Sequence, residues 1–344
     1  MTRKTSLSRR LFLAAASALA FAAPLAHAAE PVKIKFTLDW RFEGPAAPFL
    51  LAKAKNYFAA EGLDVDIDAG NGSAGALTRI ATGAYDMGFA DFNSLIEHEA
   101  KNPGSRLQGV YMVYNSTPAA VFLLKKSGVT KPADLAGKTL AAPVFDGGRK
   151  AWPAFAKANG LAVDAVKWQT VEPAIRETLL ARGDVDGITG FYFTSVLNLE
   201  ARGIKPEDIV ALPYPQHGVE FYGNAIVASP KLLAEKPAAV AGFVRAFNKA
   251  LQETLAQPET TVAYVKERDP LINVELETRR LKLALDTVVV TTETKTLGLG
   301  AVDDARLKRA VAEVATAFGL PTTPDAGVLF TSAYLPPAAD RAIK

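Results

Sequence analysis

Residues 32–39 read VKIKFTLD, a run in which polar and apolar side chains alternate. This alternation is typical of a β-strand with one buried face. A loop, WRFEGP at 40–45, follows the run, and apolar residues then recur at helical spacing over 45–60. A second alternating run occupies 63–69. The order strand, loop, helix, strand, with short connections, predicts an open α/β sheet.

The same rhythm continues along the chain in two stages. One set of strand patterns precedes Pro118, a second set follows it, and the pattern from Pro230 onward is almost entirely helical. Because no flexible linker separates the two sets, we expect two lobes joined by two crossings, near 115–118 and near 222–225. The expected division is a leader at 1–28, a first lobe at 29–117, a second lobe at 118–222, and a return to the first lobe with C-terminal helices at 223–344.

The N-terminus has the features of a secretory signal peptide. Basic residues precede residue 11, an apolar run covers 11–25, and AHA at 26–28 is a small-x-small cleavage site. The motif SRRLFL at 8–13 fits twin-arginine export, and an ordinary Sec signal with two chance arginines is the alternative. We therefore expect cleavage near Ala28 and a periplasmic location. No lipid anchor is expected, because the segment before the cut contains no cysteine.

Charge and cysteine content exclude several classes of function. The chain holds 39 basic and 36 acidic residues, and the first 28 residues contain four of the basic ones and none of the acidic ones. The mature chain is therefore close to neutral, which gives no reason to expect nucleic acid as a partner. Because the chain has no cysteine, disulfides, thiolate metal sites and cysteine nucleophiles are excluded.

A series of short segments carries a family resemblance. In chain order the segments are TLDW at 37–40, the apolar helix pattern at 48–58, EGLDV at 61–65, ATGAYDMG at 81–88, LAGKTLA at 135–141 and LARGDVDGI at 180–188. Together they resemble periplasmic binding proteins of ABC transporters. The branch in question holds the aliphatic sulfonate, taurine and nitrate binders and the thiamine-pyrimidine-precursor binders. The resemblance implies a type II-like fold, with two α/β lobes, mixed open sheets with helices on both faces, and two hinge crossings.

The same resemblance implies a function and its partners. A protein of this kind captures a small molecule between its lobes by hinge closure. It then delivers the molecule to an inner-membrane ABC permease with its ATPase. We expect a monomer that uses no cofactor and no metal.

Candidate ligand-binding residues follow from the predicted strand ends. Ligands of open α/β sheets bind at the carboxyl ends of the strands, where the loops converge. The candidates in the first lobe and its crossings are Asp39, Trp40, Arg41, Asn71, Ser73, Asp91, Phe92, Asn93, Tyr114, Asn115, Tyr222 and Asn224. The candidates in the second lobe are Asp146, Arg149, Glu172, Phe191, Tyr192 and Thr194.

Aromatic residues recur at these loop tips and favour a flat ligand, since offset stacking adds about 0.5–1.5 kcal/mol beyond burial. Trp40 stands out because it has polar neighbours in a loop, whereas the other rings could cap strand ends as core. Acids on the same rims, including Glu43, disfavour a desolvated anion, although Asp91 and Asp146 could simply cap helices. The pattern predicts a heteroaromatic, pyrimidine-like solute, with a sulfonate, taurine or nitrate as the alternative.

We expect binding without catalysis. Thiamine pyrimidine synthases of the yeast type resemble this family, but they use a cysteine-rich motif and a consumed histidine. This chain lacks that motif, and beyond the leader it has only His98 and His217, which do not have metal-ligand spacing. No phosphate-binding loop, nucleophile elbow or dinucleotide fingerprint occurs in the sequence. A synthase-like enzyme on the same scaffold is the disfavoured alternative.

Overall fold

The computed structural model describes residues 30–343. The predicted leader at 1–28 and its cleavage site lie outside these residues. No helix within 30–343 is both long enough and apolar enough to cross a membrane. From Val32 onward the chain packs as one unit built on two five-stranded sheets.

The strands are short and are spread over the first two thirds of the chain. In chain order they are β1 (Val32–Thr37), β2 (Leu63–Asp68), β3 (Met87–Asp91), β4 (Gln108–Met112), β5 (Ala119–Leu124), β6 (Thr139–Ala142), β7 (Lys167–Thr170), β8 (Gly187–Phe191), β9 (Ile209–Pro213) and β10 (Asn224–Ala228).

The two sheets have the same strand arrangement. The first sheet has the order β2-β1-β3-β10-β4, with β1 parallel to its two neighbours and β10 antiparallel to β3 and β4. The second sheet has the order β7-β6-β8-β5-β9, with β6 parallel to its neighbours and β5 antiparallel to β8 and β9. Each sheet is therefore mixed, and each holds one antiparallel strand at the same place.

Helices fill the connections and most of the chain after β10. They are α1 (Ala47–Ala54), α2 (Tyr57–Ala60), α3 (Ser73–Ala81), α4 (Phe92–Lys101), α5 (Gly147–Ala158), α6 (Arg176–Arg182), α7 (Tyr192–Glu200), α8 (Pro230–Glu235), α9 (Pro237–Ala256), α10 (Pro258–Arg268), α11 (Val274–Ala284), α12 (Thr292–Leu297), α13 (Asp304–Ala317), α14 (Ala326–Leu329) and α15 (Ala338–Arg341). A π-helical turn, Leu285–Val289, follows α11 directly.

The long helix α9 packs against the first sheet and covers its core. Phe49 of α1 lies between Phe36 of β1 and Phe247 of α9, with ring centroids 5.0 Å and 4.4 Å apart. Phe243, one turn earlier on α9, stacks on Phe36 at 5.1 Å. All four rings are buried, so their burial and their ring contacts both stabilise the association of α9 with this sheet.

The chain passes between the sheets twice. β4 ends in the first sheet at Met112, and β5 begins in the second sheet at Ala119. The return runs from the end of β9 at Pro213 to the start of β10 at Asn224. Each crossing therefore leads into the antiparallel strand of a sheet, the first into β5 and the second into β10.

Two details of the structure differ from the sequence-based expectation. The helix expected over 45–60 is interrupted at Asn56, which adopts a left-handed conformation with φ 58°, so that α1 and α2 are separate. The strand β9 was not predicted, because its short run ends in a proline and carries no alternation of its own. Its pairing with β5 makes it an edge strand, where a proline is tolerated.

A core substitution tests the role of α9. Phe247→Ala is expected to lower the free energy of unfolding by about 3–5 kcal/mol, because it leaves a cavity between α9, Phe49 and Tyr111. Urea denaturation of the mature protein, followed by circular dichroism, measures this change. Leu271→Ala is the control, because Leu271 is 94% exposed and its truncation should change stability by no more than about 0.5 kcal/mol. Equal effects of the two substitutions would contradict the assignment.

Candidate ligand-binding groove

A groove lies between the two sheets, at the carboxyl ends of their parallel strands. Its empty volume is about 730 Å³, including the space at its open mouth. From the first sheet it is lined by Leu38, Asp39, Trp40, Arg41, Glu43, Pro45, Ala46, Gly72, Ser73, Phe89 and Tyr114. From the second sheet it is lined by Pro143, Phe145, Asp146, Gly147, Arg176, Phe191, Phe193 and Thr194. Both sheets thus contribute walls to one cavity, which is the arrangement expected of a site between two lobes.

A chain of aromatic rings crosses the floor of the groove. Tyr114 makes edge contacts with Phe89 of β3 at 5.2 Å and with Phe193 of α7 at 5.7 Å. Phe191 continues the chain at 6.0 Å from Phe193. Trp40 lies in the loop after β1 and is half-buried. The floor is therefore apolar and continuous from one sheet to the other, with an indole at its edge.

Asp39 is the buried acid of the first wall. It follows β1 and is 8% exposed, and its Oδ2 accepts hydrogen bonds from Asn224 Nδ2 at 2.7 Å and from Ser73 Oγ at 3.3 Å. Burial raises the pKa of Asp39 to about 7, although both hydrogen bonds oppose the shift and Asp91 adds to it. The carboxyl group therefore changes its charge near neutral pH, and it is held in place before any ligand arrives.

Glu43 is the second acid of this wall. Its side chain is 17% exposed, and its Oε2 lies 3.5 Å from Nε of Arg280 on α11. Burial raises the pKa of Glu43, whereas the Arg280 guanidinium lowers it and the nearby Glu277 raises it further. Like Asp39, this carboxyl group therefore has a weakened tendency to ionise.

Asp146 belongs to the opposite wall and is part of an ion-pair cluster. Its Oδ1 accepts hydrogen bonds from the backbone N–H of Arg149 and from Thr189 Oγ1, both at 2.9 Å. Its Oδ2 accepts one from Arg176 Nη1 at 2.8 Å. Arg176 is 3% exposed and also pairs with Glu177 at 2.6 Å. The charge of Arg176 is therefore already matched by two carboxylates.

Burial raises the pKa of Glu177, but the adjacent Arg176 outweighs burial and holds that pKa below its usual range. Arg41 is the other cation of the lining, and it is exposed to solvent. The groove thus exposes carboxyl groups to a molecule inside it, whereas its buried cation, Arg176, is already paired with carboxylates of the protein.

A model of the NMT1/THI5-like family matches residues 45–261, which is more than half of the chain. The chain belongs to this family. The riboflavin-binding protein RibY of Chloroflexus aurantiacus is 28% identical over 216 residues, which cover 62% of this chain and 60% of RibY. A 4-amino-5-hydroxymethyl-2-methylpyrimidine phosphate synthase of Aspergillus parasiticus is 26% identical over 250 residues, which cover 70% of this chain and 72% of the synthase.

A comparison with solved structures agrees with the family assignment. The periplasmic aliphatic sulphonate binding protein SsuA from Escherichia coli matches with a TM-score of 0.67 at 15% identity, over 87% of this chain and 91% of SsuA. The fold of this family member is therefore that of the periplasmic binding proteins. The predicted family and the predicted two-lobed mixed α/β fold are both confirmed.

The structure places eight of the residues predicted from the sequence in the lining of the groove. They are Asp39, Trp40, Arg41, Ser73, Tyr114, Asp146, Phe191 and Thr194. The other ten lie outside that lining. They are Asn71, Asp91, Phe92, Asn93, Asn115, Arg149, Glu172, Tyr192, Tyr222 and Asn224.

Three of these ten form the start of α4 behind the first wall. Asp91 caps the helix, since its Oδ1 accepts a hydrogen bond from Ser94 N–H at 2.9 Å. Asn93 donates to Asp91 Oδ2 at 3.1 Å and to the carbonyl oxygen of Tyr222 at 2.9 Å. Phe92 is fully buried in the core. Of the two acids that could cap helices, Asp91 caps α4 and lies outside the groove lining, whereas Asp146 caps α5 and also lines the groove.

Asn115, Tyr222 and Asn224 lie at the crossings and support the site from behind. Glu293 Oε1 accepts hydrogen bonds from Asn115 Nδ2 at 2.9 Å and from the Tyr222 hydroxyl at 2.7 Å. Arg306 pairs with Glu293 at 3.0 Å and lies 4.1 Å over the Tyr222 ring. Asn224 contacts the site through Asp39 and through Tyr114, whose backbone N–H donates to the Asn224 carbonyl oxygen at 2.9 Å. These polar side chains fix the geometry of the crossings.

The remaining four predicted residues point elsewhere. Arg149 donates to the Ala142 carbonyl oxygen and to Thr170 Oγ1, both at 3.0 Å, and so lies along the edge of the second sheet. Tyr192 packs on Phe122 at 6.2 Å. Asn71 and Glu172 are exposed to solvent.

The sequence reasoning did not find Phe89, Arg176 or Phe193. Phe89 lies in mid-strand, and Phe193 lies inside α7, so neither stands at a strand end. Arg176 opens α6 beside Glu177, and such an adjacent opposite-charge pair in a segment with apolar residues is the signal that could have indicated a buried ion pair.

The raised pKa of Asp39 predicts a pH-dependent effect on stability. Its folded-state pKa of about 7 exceeds the ordinary 3.8, so ionisation costs the folded state increasingly as pH rises from about 4 to above 7. Asp39→Asn removes this cost and is expected to raise the free energy of unfolding at pH 8 by about 1–3 kcal/mol. The gain should be smaller at pH 5. Urea denaturation at both pH values measures the difference.

Asp146→Asn is the matched control, because Asp146 is the acid of the opposite wall and pairs with buried Arg176. It should lower stability at pH 8, since it weakens a buried ion pair. The opposite outcome is that Asp39→Asn loses stability at pH 8 and keeps the pH dependence of the unsubstituted protein. That outcome would show that the environment of Asp39 does not oppose ionisation.

Proposed function

We propose that this protein is the periplasmic substrate-binding component of an ABC importer, and that it captures a small solute by closure of the two sheets around the groove. The observation that carries this proposal is the lining itself, because strand-end loops of both sheets contribute to one cavity. A solute that contacts both walls stabilises the closed state, which is the form that a transporter can recognise.

The expected partners and location follow from the same proposal. The protein acts as a monomer in the periplasm after removal of its leader, and it delivers the solute to an inner-membrane permease with its ATPase. It needs no nucleic acid and no cofactor for this role.

The chemistry of the groove favours a flat, neutral or weakly basic heteroaromatic solute. The aromatic floor and Trp40 offer faces for stacking. Asp39, Glu43 and Asp146 offer acceptors for donor groups at the rim of a ring. One relative is named a riboflavin-binding protein and another a pyrimidine phosphate synthase, and both names contain a heteroaromatic compound.

A sulfonate, taurine or nitrate is the alternative solute, and the similarity to the sulphonate-binding SsuA fold supports considering it. An anion needs cations or free N–H donors that are not already engaged. In this groove Arg176 is paired with Asp146 and Glu177, the other cation, Arg41, is exposed to solvent, and the anion would face three carboxyl groups. Its desolvation would therefore be poorly compensated.

An enzyme on the same scaffold is the second alternative, since one relative is named as a synthase. The chain contains no cysteine. His98 bonds to Ser105 Oγ at 3.0 Å, and His217 packs at the edge of Phe155 at 5.8 Å. Neither histidine lines the groove. These placements favour capture over catalysis.

A thermal-shift screen of the mature protein tests the function and the ligand class together. Riboflavin and 4-amino-5-hydroxymethyl-2-methylpyrimidine form one arm, and taurine, an alkanesulfonate and nitrate form the other. A heteroaromatic ligand at about 100 times its Kd should stabilise the protein by about 2.7 kcal/mol and leave it unconverted. A shift with the anions alone would support the sulfonate or nitrate role. Conversion of a bound compound, detected by mass spectrometry, would support the enzyme.

Trp40→Ala tests the stacking role. It is expected to weaken binding of the heteroaromatic ligand by at least about tenfold, a change of about 1.4 kcal/mol, without unfolding the protein. Titration calorimetry measures the affinity. Phe42→Ala is the matched control, because Phe42 lies two residues along the same loop, outside the groove lining, and packs under Arg268. Unchanged affinity in Trp40→Ala, or an equal loss in both variants, would overturn the stacking role.

A further inference from the structure

Helix α11 contacts the loop that forms the first wall of the groove. Glu277 Oε2 accepts a hydrogen bond from the backbone N–H of Gly44 at 2.6 Å. A Cβ atom on Gly44 would lie 2.2 Å from the carbonyl oxygen of Glu277, so the loop rests directly on the helix backbone. This loop carries Trp40 and Glu43 into the groove. Only a glycine allows so close an approach.

The same helix contacts the second wall through Arg280, which is 1% exposed. Nη1 of Arg280 donates to the carbonyl oxygens of Phe193 and Thr194 at 3.1 Å and 3.0 Å. Nη2 donates to Asn198 Oδ1 at 3.0 Å. Phe193 and Thr194 are groove-lining residues of α7. Arg280 therefore holds the start of the helix that forms this wall.

One ion pair joins the two sets of contacts. Nε and Nη2 of Arg280 donate to the two carboxylate oxygens of Glu277 at 2.9 Å and 3.2 Å. Glu43 Oε2 lies 3.5 Å from the same Nε. The planar guanidinium thus faces carboxylates on one side and the backbone of α7 on the other. A lysine has the same charge but cannot form this fork of parallel hydrogen bonds.

We propose that Glu277 and Arg280 are positioning residues of the groove, which fix the separation of its two walls. The proposal rests on the ligand-capture function and adds to it a pair of residues outside the segment 45–261 that the family model matches. Neither residue lines the groove, so both act through the loop at Gly44 and through α7. Separation of the two walls would break the bonds to Phe193 and Thr194. Arg280 therefore stabilises the state in which the groove is formed.

A distance measurement tests this role without any ligand. The chain has no cysteine, so Ala81→Cys on α3 and Lys157→Cys on α5 place two spin labels at exposed sites on opposite sides of the groove. Double electron–electron resonance then reports the separation of the sheets. Arg280→Lys is expected to move the distance distribution to longer values and to broaden it, while circular dichroism and cooperative unfolding stay intact.

Arg279→Lys is the matched control, since Arg279 is the neighbouring residue and pairs with Glu200 of α7 at 2.7 Å, but is half exposed. It should leave the distribution unchanged, because exposed ion pairs contribute little. If Arg280→Lys does not fold, Glu277→Gln replaces it, since the amide oxygen can still accept from Gly44 N–H, whereas the amide nitrogen cannot accept from Arg280 Nη2 and the negative charge is lost. An unchanged distribution in a folded Arg280→Lys or Glu277→Gln variant would overturn the proposal.

Binding of riboflavin and of 4-amino-5-hydroxymethyl-2-methylpyrimidine gives a second readout. For either probe that binds the unsubstituted protein, Arg280→Lys should weaken the affinity by about tenfold and Arg279→Lys should not. Equal affinity in the two variants would overturn the positioning role. If neither probe binds the unsubstituted protein, the proposed ligand class fails, and the label distances still decide the role of Arg280.

Discussion

The insertion of β10 between β3 and β4 is the constraint on which the architecture depends. All five residues of β10 are buried, so their backbone N–H and C=O groups must find partners inside the protein. They find them in the first sheet, although the chain has by then completed the second. The chain must therefore cross between the sheets twice. Asn224, the first residue of β10, also donates to Asp39, so the same strand that closes the sheet orients the acid of the first wall.

Burial of charge determines what the groove can accept. The two buried arginines near the groove, Arg176 and Arg280, each have carboxylate partners and further hydrogen bonds. Pairing of this kind is required in an apolar surrounding, because an unpaired buried cation is costly. Of the acids that line the groove, Asp39 and Glu43 are less completely paired than Asp146, and burial raises the pKa values of both. The proposed preference for donor groups over anions rests on this difference in pairing.

Local patterns in the sequence predicted much of the fold. The alternation at 32–39 and at 63–69 corresponds to β1 and β2, whose apolar residues are buried on one face. The predicted lining residues at the ends of β1, β6 and β8 follow from the geometry of parallel strands. β9 was not predicted because its partner β5, rather than its own pattern, makes it a strand.

The remaining parts of the site depend on contacts distant in sequence. Arg280 lies next to Phe193 in space but 87 residues away along the chain. Nothing in the residues around either one predicts that approach. Tyr222 and Asn115 were expected to face a ligand, yet Glu293 and Arg306 from the C-terminal helices hold both of them. Long-range packing decides which side of a polar residue faces the cavity, and the local sequence pattern around that residue does not reveal it.

Gly72 has a consequence for how closely the two walls of the groove can approach each other. It adopts φ 134°, a conformation that other residues rarely reach, and a Cβ atom there would lie 2.5 Å from Cδ2 of Phe145. The phenyl group of one wall therefore rests against bare backbone of the other. Because no side chain at this position separates the walls, they meet at this point. Any other residue at 72 would have to displace the Phe145 ring, so the two walls would be forced apart there.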